Sequence, residues 1–155
     1  MTPRGRSEGI LRDAGFMVGT VERLIPANTG RPFTLRKDLF GLFDTLAVMG
    51  PRVIGIQSTT RPQMSAHLRS YVTDPALRLS AYRWLNSQGR DFEIWGWEKI
   101  KNRWTPTVWK VYLTSAGDIE VIKPPKDTGC NSTPISHTAK KRKPRRSVAP
   151  TSTAA

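Results

Sequence analysis

One stretch constrains this chain more than any other: residues 36–59, RKDLFGLFDTLAVMGPRVIGIQST. Two short apolar runs, 42–48 and 52–56, flank a Met-Gly-Pro turn, which predicts two adjacent strands of a hairpin. Each run carries a polar residue where a plain core strand carries another hydrophobe: Asp44 in the first, Gln57 at the end of the second. With a period of two, Asp44 shares a face with Leu42 and Leu46, and Gln57 shares one with Thr59. A carboxylate in such a segment costs on the order of several kcal/mol unless it is paired, hydrogen-bonded or bound to a metal. The solvated face of an edge strand is the plain alternative. The turn brings both polar positions to the same end of the hairpin, which favours a shared site.

Charge narrows the partner. The 155 residues include 25 Lys and Arg against 12 Asp and Glu, a formal charge of +13. So positive a surface suits a polyanion, nucleic acid before membrane. Cys130 is the sole cysteine and His67 and His137 the only histidines, so neither an intramolecular disulfide nor a His- or Cys-rich zinc site is expected. No apolar run approaches the roughly 18 residues that span a bilayer, and no signal peptide is recognisable. The expected setting is intracellular, cytoplasmic or nucleoid-associated, in a bacterial or phage context, with no membrane partner.

The remaining segments supply a frame for the hairpin. Thr2 as N-cap, Pro3 at the first helical position and Gly15 past the end predict a short first helix carrying Glu8. Residues 16–24 suit a strand with Glu22 near its end, and 26–34, rich in Pro, Asn, Thr and Gly, read as a loop. Thr60-Arg61-Pro62 ends the hairpin. A helix over 63–72 follows, and then a second, capped by Thr73 or Asp74, with Leu77, Ala81, Trp84 and Leu85 as its apolar stripe. Strands over 92–97 and 107–113, joined by the basic loop 99–103, and a closing strand over 119–122 complete the domain. Trp95, Trp97, Trp104 and Trp109 gather there, with core filling preferred over base stacking.

From Lys123 the composition changes to Pro, Ser, Thr, Ala and Lys/Arg, with eight basic residues and one Asp, so +7 of the +13 lies in 123–155. Such a segment cannot offset its ordering entropy and is expected to be a disordered basic tail. Its run Lys140, Lys141, Arg142, Lys143, Arg145, Arg146 would raise nucleic-acid affinity by counterion release, without sequence preference.

The order helix, strand, hairpin, helices, strand, with Phe43-Asp44-Thr45-Leu46-Ala47-Val48 and Val53-Ile54-Gly55-Ile56-Gln57-Ser58-Thr59, resembles the PD-(D/E)XK nuclease superfamily, in particular its Holliday-junction-resolvase-like branch. The resemblance covers roughly 1–122. It implies an α/β domain with a restriction-endonuclease-like core: a mixed, mostly antiparallel sheet flanked by helices. It further implies a metal-dependent DNA endonuclease using Mg²⁺ or Mn²⁺ and acting on DNA in preference to RNA. A homodimer would suit an enzyme that cuts two strands. Carried over position by position, Asp44 is the metal-binding aspartate and Gln57 the second ligand. Thr59 takes the place of the motif lysine, and Glu22 completes the set, with Glu8 and Asp38 as alternatives.

The departures from the motif are informative. Phe43 stands where the family usually has Pro, and Gln57 offers a neutral amide oxygen where a carboxylate is usual. Thr59 supplies no positive charge, so a cation would have to come from elsewhere: Arg36, Lys37 and Arg61 are nearest in sequence, and Lys110 lies on a later strand. These basic residues are also the expected phosphate contacts. Asp38 precedes Asp44 by six residues, about 20 Å if the strand were regular, unless Gly41 bends the segment. A non-catalytic nucleic-acid-binding module that kept the nuclease fold is the alternative function.

Overall fold

A computed structural model describes residues 1–25 and 35–125. The first helix, α1 (Pro3–Asp13), begins as its caps predict: Thr2 Oγ1 accepts from the Gly5 N–H at 3.2 Å, with Pro3 inside the first turn. Six strands form the main sheet: β1 (Met17–Thr20), β4 (Thr45–Met49), β5 (Arg52–Thr60), β6 (Arg90–Ile100), β7 (Arg103–Leu113) and β8 (Ile119–Ile122), adjacent in that order. Strands β2 (Arg23–Ile25) and β3 (Leu35–Lys37) pair separately as a two-stranded sheet.

Pairing is antiparallel everywhere in the main sheet except between β5 and β6, which run parallel. Parallel neighbours need a long crossover. Here it is a 3-10 turn (Arg61–Gln63), α2 (Met64–Thr73) and α3 (Pro75–Leu85). Asp74 separates the two helices and caps the second, its Oδ1 accepting from Ala76 N at 2.8 Å and Leu77 N at 3.1 Å. The chain is thus α/β, a six-stranded mixed sheet with helices on both faces.

Alternation along the strands builds two cores. On one face α1 covers Ala47, Ile54, Ile56, Trp95 and Trp97 with Leu11. On the other, α2 and α3 bring Met64, Tyr71, Ala81 and Trp84 against Phe43, Phe92, Ile94 and Trp109. Three of the four clustered tryptophans fill these cores; Trp104 is the exception, 47% exposed. A polar pin holds α1 to the sheet. Buried Ser7 donates its hydroxyl to Pro3 O (3.2 Å) and accepts from Ser58 Oγ (3.0 Å) and Trp97 Nε1 (2.9 Å).

Several sequence expectations need correction. The strand expected over 16–24 is broken: Val21 N still bonds Asp44 O at 3.0 Å, after which the chain leaves the main sheet as β2. Glu22 therefore sits in the break and does not share a strand face with Val18 and Thr20. The hairpin's first strand starts at Thr45, so Asp44 stands at its mouth, preceded by a tight turn with a Leu39–Phe43 bridge. The basic loop 99–103 is no loop: β6 and β7 run on to meet at Lys101-Asn102, both with positive φ (45° and 64°), a two-residue turn matched to strand twist. The loop 26–34 lies outside the described residues, as does the tail from 126 onward. Among the described residues no helix is long and apolar enough to cross a membrane.

Candidate functional site

The hairpin β4–β5 delivers its two polar residues to one place. Asp44 and Gln57, each 6% exposed, line the same cavity of about 440 Å³, together with Ser58, Asp38 and Glu22. The roof is the start of α1, Thr2 to Arg4. The docking of α1 through Ser7 and Ser58 is what brings that end of the helix over the hairpin.

Asp44 is held on one side only. Its Oδ2 accepts from the Ser58 backbone N–H at 3.0 Å, while its buried Oδ1 has no hydrogen-bond partner. The neighbouring Thr45 hydroxyl, also buried, lies outside hydrogen-bonding geometry. Burial pushes the Asp44 carboxyl up to about 7; the Ser58 N–H, the Thr45 hydroxyl and the Arg4 charge pull the other way, and Asp38 adds to the rise. Desolvation wins over a single backbone donor, as expected where no cation sits against the carboxylate.

Asp38 reaches the cavity through the turn before Asp44. Gly41 N donates to Asp38 O and Leu42 N to Leu39 O, both at 3.0 Å, with Phe40 and Gly41 at φ 57° and 72°. This reversal brings Asp38 back beside Asp44, where a regular strand would have carried it about 20 Å away. Burial, then the Glu22 charge, raise the Asp38 carboxyl above its ordinary range. The Gln57 amide lies against Asp38 Oδ2 and Leu42 O. With its nitrogen on that side it donates to both, at 3.1 and 2.7 Å. With its oxygen there, three acceptors converge without a proton between them, an arrangement that a cation relieves.

Among the described residues, the cation lining the cavity is Arg4, a residue that the sequence analysis does not single out. Its guanidinium donates to Glu22 Oε2 and lies 3.7 Å from Glu8 Oε1. Glu8 itself is buried and occupied elsewhere, accepting from Thr20 Oγ1 (2.7 Å) and Arg12 (3.1 Å). Thr59 is buried with its hydroxyl donating to Gln63 Oε1 at 3.0 Å, and it does not line the cavity. Arg61 points to Glu98 and Thr107. Lys110 is on β7, separated from β5 by β6. Arg36 and Lys37 belong to β3, with side chains outside the described set, and Lys140, Lys141, Arg142, Lys143, Arg145 and Arg146 lie outside the described residues.

Among the described residues no three His, Cys, Asp or Glu side chains converge as a metal-ligating group. The donor set that does converge is mixed: the Asp44 and Asp38 carboxylates with the Gln57 amide. Chemically, it offers hard oxygen donors on one side of a cavity and a guanidinium on the other. Neither the family models, the curated proteins nor the solved structures contain a match to this chain.

Proposed function

We propose that the chain is a metal-dependent DNA endonuclease of the PD-(D/E)XK kind, hydrolysing phosphodiester bonds in duplex or branched DNA. One observation carries this reading: Asp44, a buried carboxylate with one oxygen unpartnered, lines a cavity together with Gln57 and Asp38. Natural structures rarely leave such an atom unsatisfied without a use for it. The topology supports the reading. Helix, three antiparallel strands, a helical crossover and a parallel strand are the elements the resemblance implies, with Asp44 at the second of those strands and Gln57 on the third.

The donor set fits Mg²⁺ or Mn²⁺. Such ions take hard oxygens, keep several waters and need only one or two carboxylates. The Asp44 and Asp38 carboxylates and the Gln57 amide oxygen would hold the ion, with Glu22 tied to Arg4. When bound, the ion would lower the pKa of a water nucleophile and neutralise charge on the scissile phosphate. The protein's own contributions are separate. Ser58 fixes the orientation of the Asp44 carboxylate through its N–H. Arg4 supplies the positive charge that Thr59 cannot, poised for a phosphate oxygen. The cavity walls, Pro3 and the buried hairpin, restrict water.

A second reading rests on a specific observation too. Gln57, with its nitrogen toward Asp38 and Leu42 O, closes the polar cluster with no metal at all. In that case the domain binds nucleic acid without cutting it. Incubation with Mg²⁺ or Mn²⁺ and branched, duplex or single-stranded DNA separates the two. The nuclease reading expects cleavage that Asp44→Ala abolishes. It fails if the wild-type protein cuts none of these substrates, or if Asp44→Ala cuts as well as wild type.

A further inference from the structure

Beyond Trp97 the β6–β7 ribbon leaves the sheet. Strand β5 stops at Thr60, opposite Trp97, and β8 pairs only with Lys110 to Leu113, so residues 98–105 form a two-stranded arm whose edges pair with no other strand among the described residues. All of 99–105 is exposed. An isolated two-stranded ribbon is marginal in water, and this one is braced at its base on both faces. Arg61 bridges to Glu98 at 3.2 Å and to Thr107, and the Arg6 guanidinium lies 4.0 Å over the Trp104 ring.

The composition of the arm is one-sided. Lys99, Lys101 and Arg103 fall within 99–105, and the arm's single acidic residue, Glu98 at its base, is bridged to Arg61. Among the described residues none of the three lies within ion-pair distance of a carboxylate. Arg6 adds a fourth positive charge at the Trp104 ring, and the apolar Ile100 and Trp104 are each 47% exposed. The braces thus hold unpaired cations in a fixed array on a narrow projection. A B-DNA major groove admits a two-stranded ribbon, and phosphates line both its rims.

We infer that the β6–β7 arm is a duplex-DNA contact separate from the carboxylate cavity, with Lys99, Lys101 and Arg103 on the phosphates of the groove it enters. The inference rests on the nucleic-acid reading of this chain but not on cleavage. Register sets the reach. Gln57 pairs with Ile94, and Lys101 lies seven residues further along β6, a separation of about 23 Å at about 3.3 Å per residue. The arm therefore engages the duplex about six or seven base pairs from the phosphate at the cavity. Such a contact fixes orientation and distance on the helix without reading sequence. Charged residues on free strand edges also discourage edge-to-edge aggregation, and that role alone predicts no effect on DNA.

The test is equilibrium binding of the full chain to a fluorescent 30-base-pair duplex in EDTA, by anisotropy over a range of salt. Two proteins are compared: wild type and Lys99→Gln/Lys101→Gln/Arg103→Gln. Loss of three phosphate contacts should lower the slope of log K against log salt by roughly 2.7, and weaken binding at least tenfold near physiological salt. A triple-Gln protein that folds, by circular dichroism, yet binds with unchanged affinity and slope overturns the inference, whether or not it aggregates more. If it does not fold, Lys101→Glu alone, at the exposed turn, decides, with weaker binding expected. Weakened binding where no preparation cleaves DNA would leave the arm standing and remove the nuclease reading; cleavage with unchanged binding does the reverse.

Discussion

The backbone N–H of Ser58 donates to Asp44 across the β4–β5 hairpin at 3.0 Å, and it is the only hydrogen bond that this buried carboxylate has among the described residues. The pairing orients the group without compensating its charge. Burial therefore pushes the Asp44 carboxyl up from 3.8 to about 7, and the folded state holds the proton more tightly than the unfolded chain. Stability contributed by this group is then greatest at low pH and falls as pH rises between about 4 and 7. Asp44→Asn, which carries no charge, should be more stable than wild type at pH 8. The gain should reach up to about 4 kcal/mol, the three-unit rise at about 1.36 kcal/mol each. Urea unfolding of both proteins should give curves that converge near pH 4. Equal stability at pH 8 would remove the desolvation penalty from the account.

On the nuclease reading, a divalent ion at Asp44 would offset that same penalty. With an affinity near millimolar, 10 mM Mg²⁺ should stabilise the protein by about 1.4 kcal/mol at pH 8. Protons compete for the ligand, so the effect should shrink at pH 6. Asp44→Asn should lose it entirely, and Asp38→Asn should retain part. Thermal unfolding with and without metal reads this independently of any cleavage assay. A wild-type shift no larger than that of Asp44→Asn would separate the cavity from metal binding.

Behind Asp44 the fold depends on a glycine. A Cβ built at Gly55 would lie 2.5 Å from the Phe43 ring, which stands across β5 between Phe92 and Trp84, with ring centroids at 4.8 and 4.6 Å. Phe43 is thus a core wedge seating the turn before Asp44. Gly55→Ala should cost about 1–3 kcal/mol by overpacking. Adding Phe43→Leu, which vacates the space, should recover part of it. Denaturant midpoints of the single and double variants measure this, and a fully additive double would show that the two positions do not share the space.

How much of this was legible in the sequence differs residue by residue. That Asp44 and Gln57 converge followed from the period-two alternation and a three-residue turn, both local properties. The sequence leaves Asp38 between two places, because its return depends on left-handed backbone at Phe40 and Gly41, and only the glycine signals a bend. Glu22 was put on a strand face because residues 16–24 have uniform strand character; the break after Thr20 reflects where pairing with β4 ends, a tertiary fact. Arg4 was invisible for a similar reason. Its position follows from Ser7 locking α1 to Ser58 and Trp97, a contact between residues 51 and 90 positions apart. The β6–β7 arm carried a readable signal, Lys-Asn between apolar alternations, that was read as a loop.

On the nuclease reading, Arg4 gives the sharpest test of where the site finds a cation. Its guanidinium is paired with Glu22 at the cavity wall, so it is positioned before any phosphate arrives. Preorganised charge aimed at a developing anion is worth about 10²–10³ in rate when a single donor is removed. Arg4→Met should therefore lower kcat for metal-dependent DNA cleavage by about that factor while leaving duplex binding in EDTA nearly unchanged. Arg4→Lys should restore part of the rate, because charge returns without the planar fork. The ion pair is partly exposed, so its loss should cost little stability, and a large drop in melting temperature would instead assign Arg4 to holding α1 in place. Cleavage unaffected by Arg4→Met would transfer the lysine's role to a cation outside this cavity.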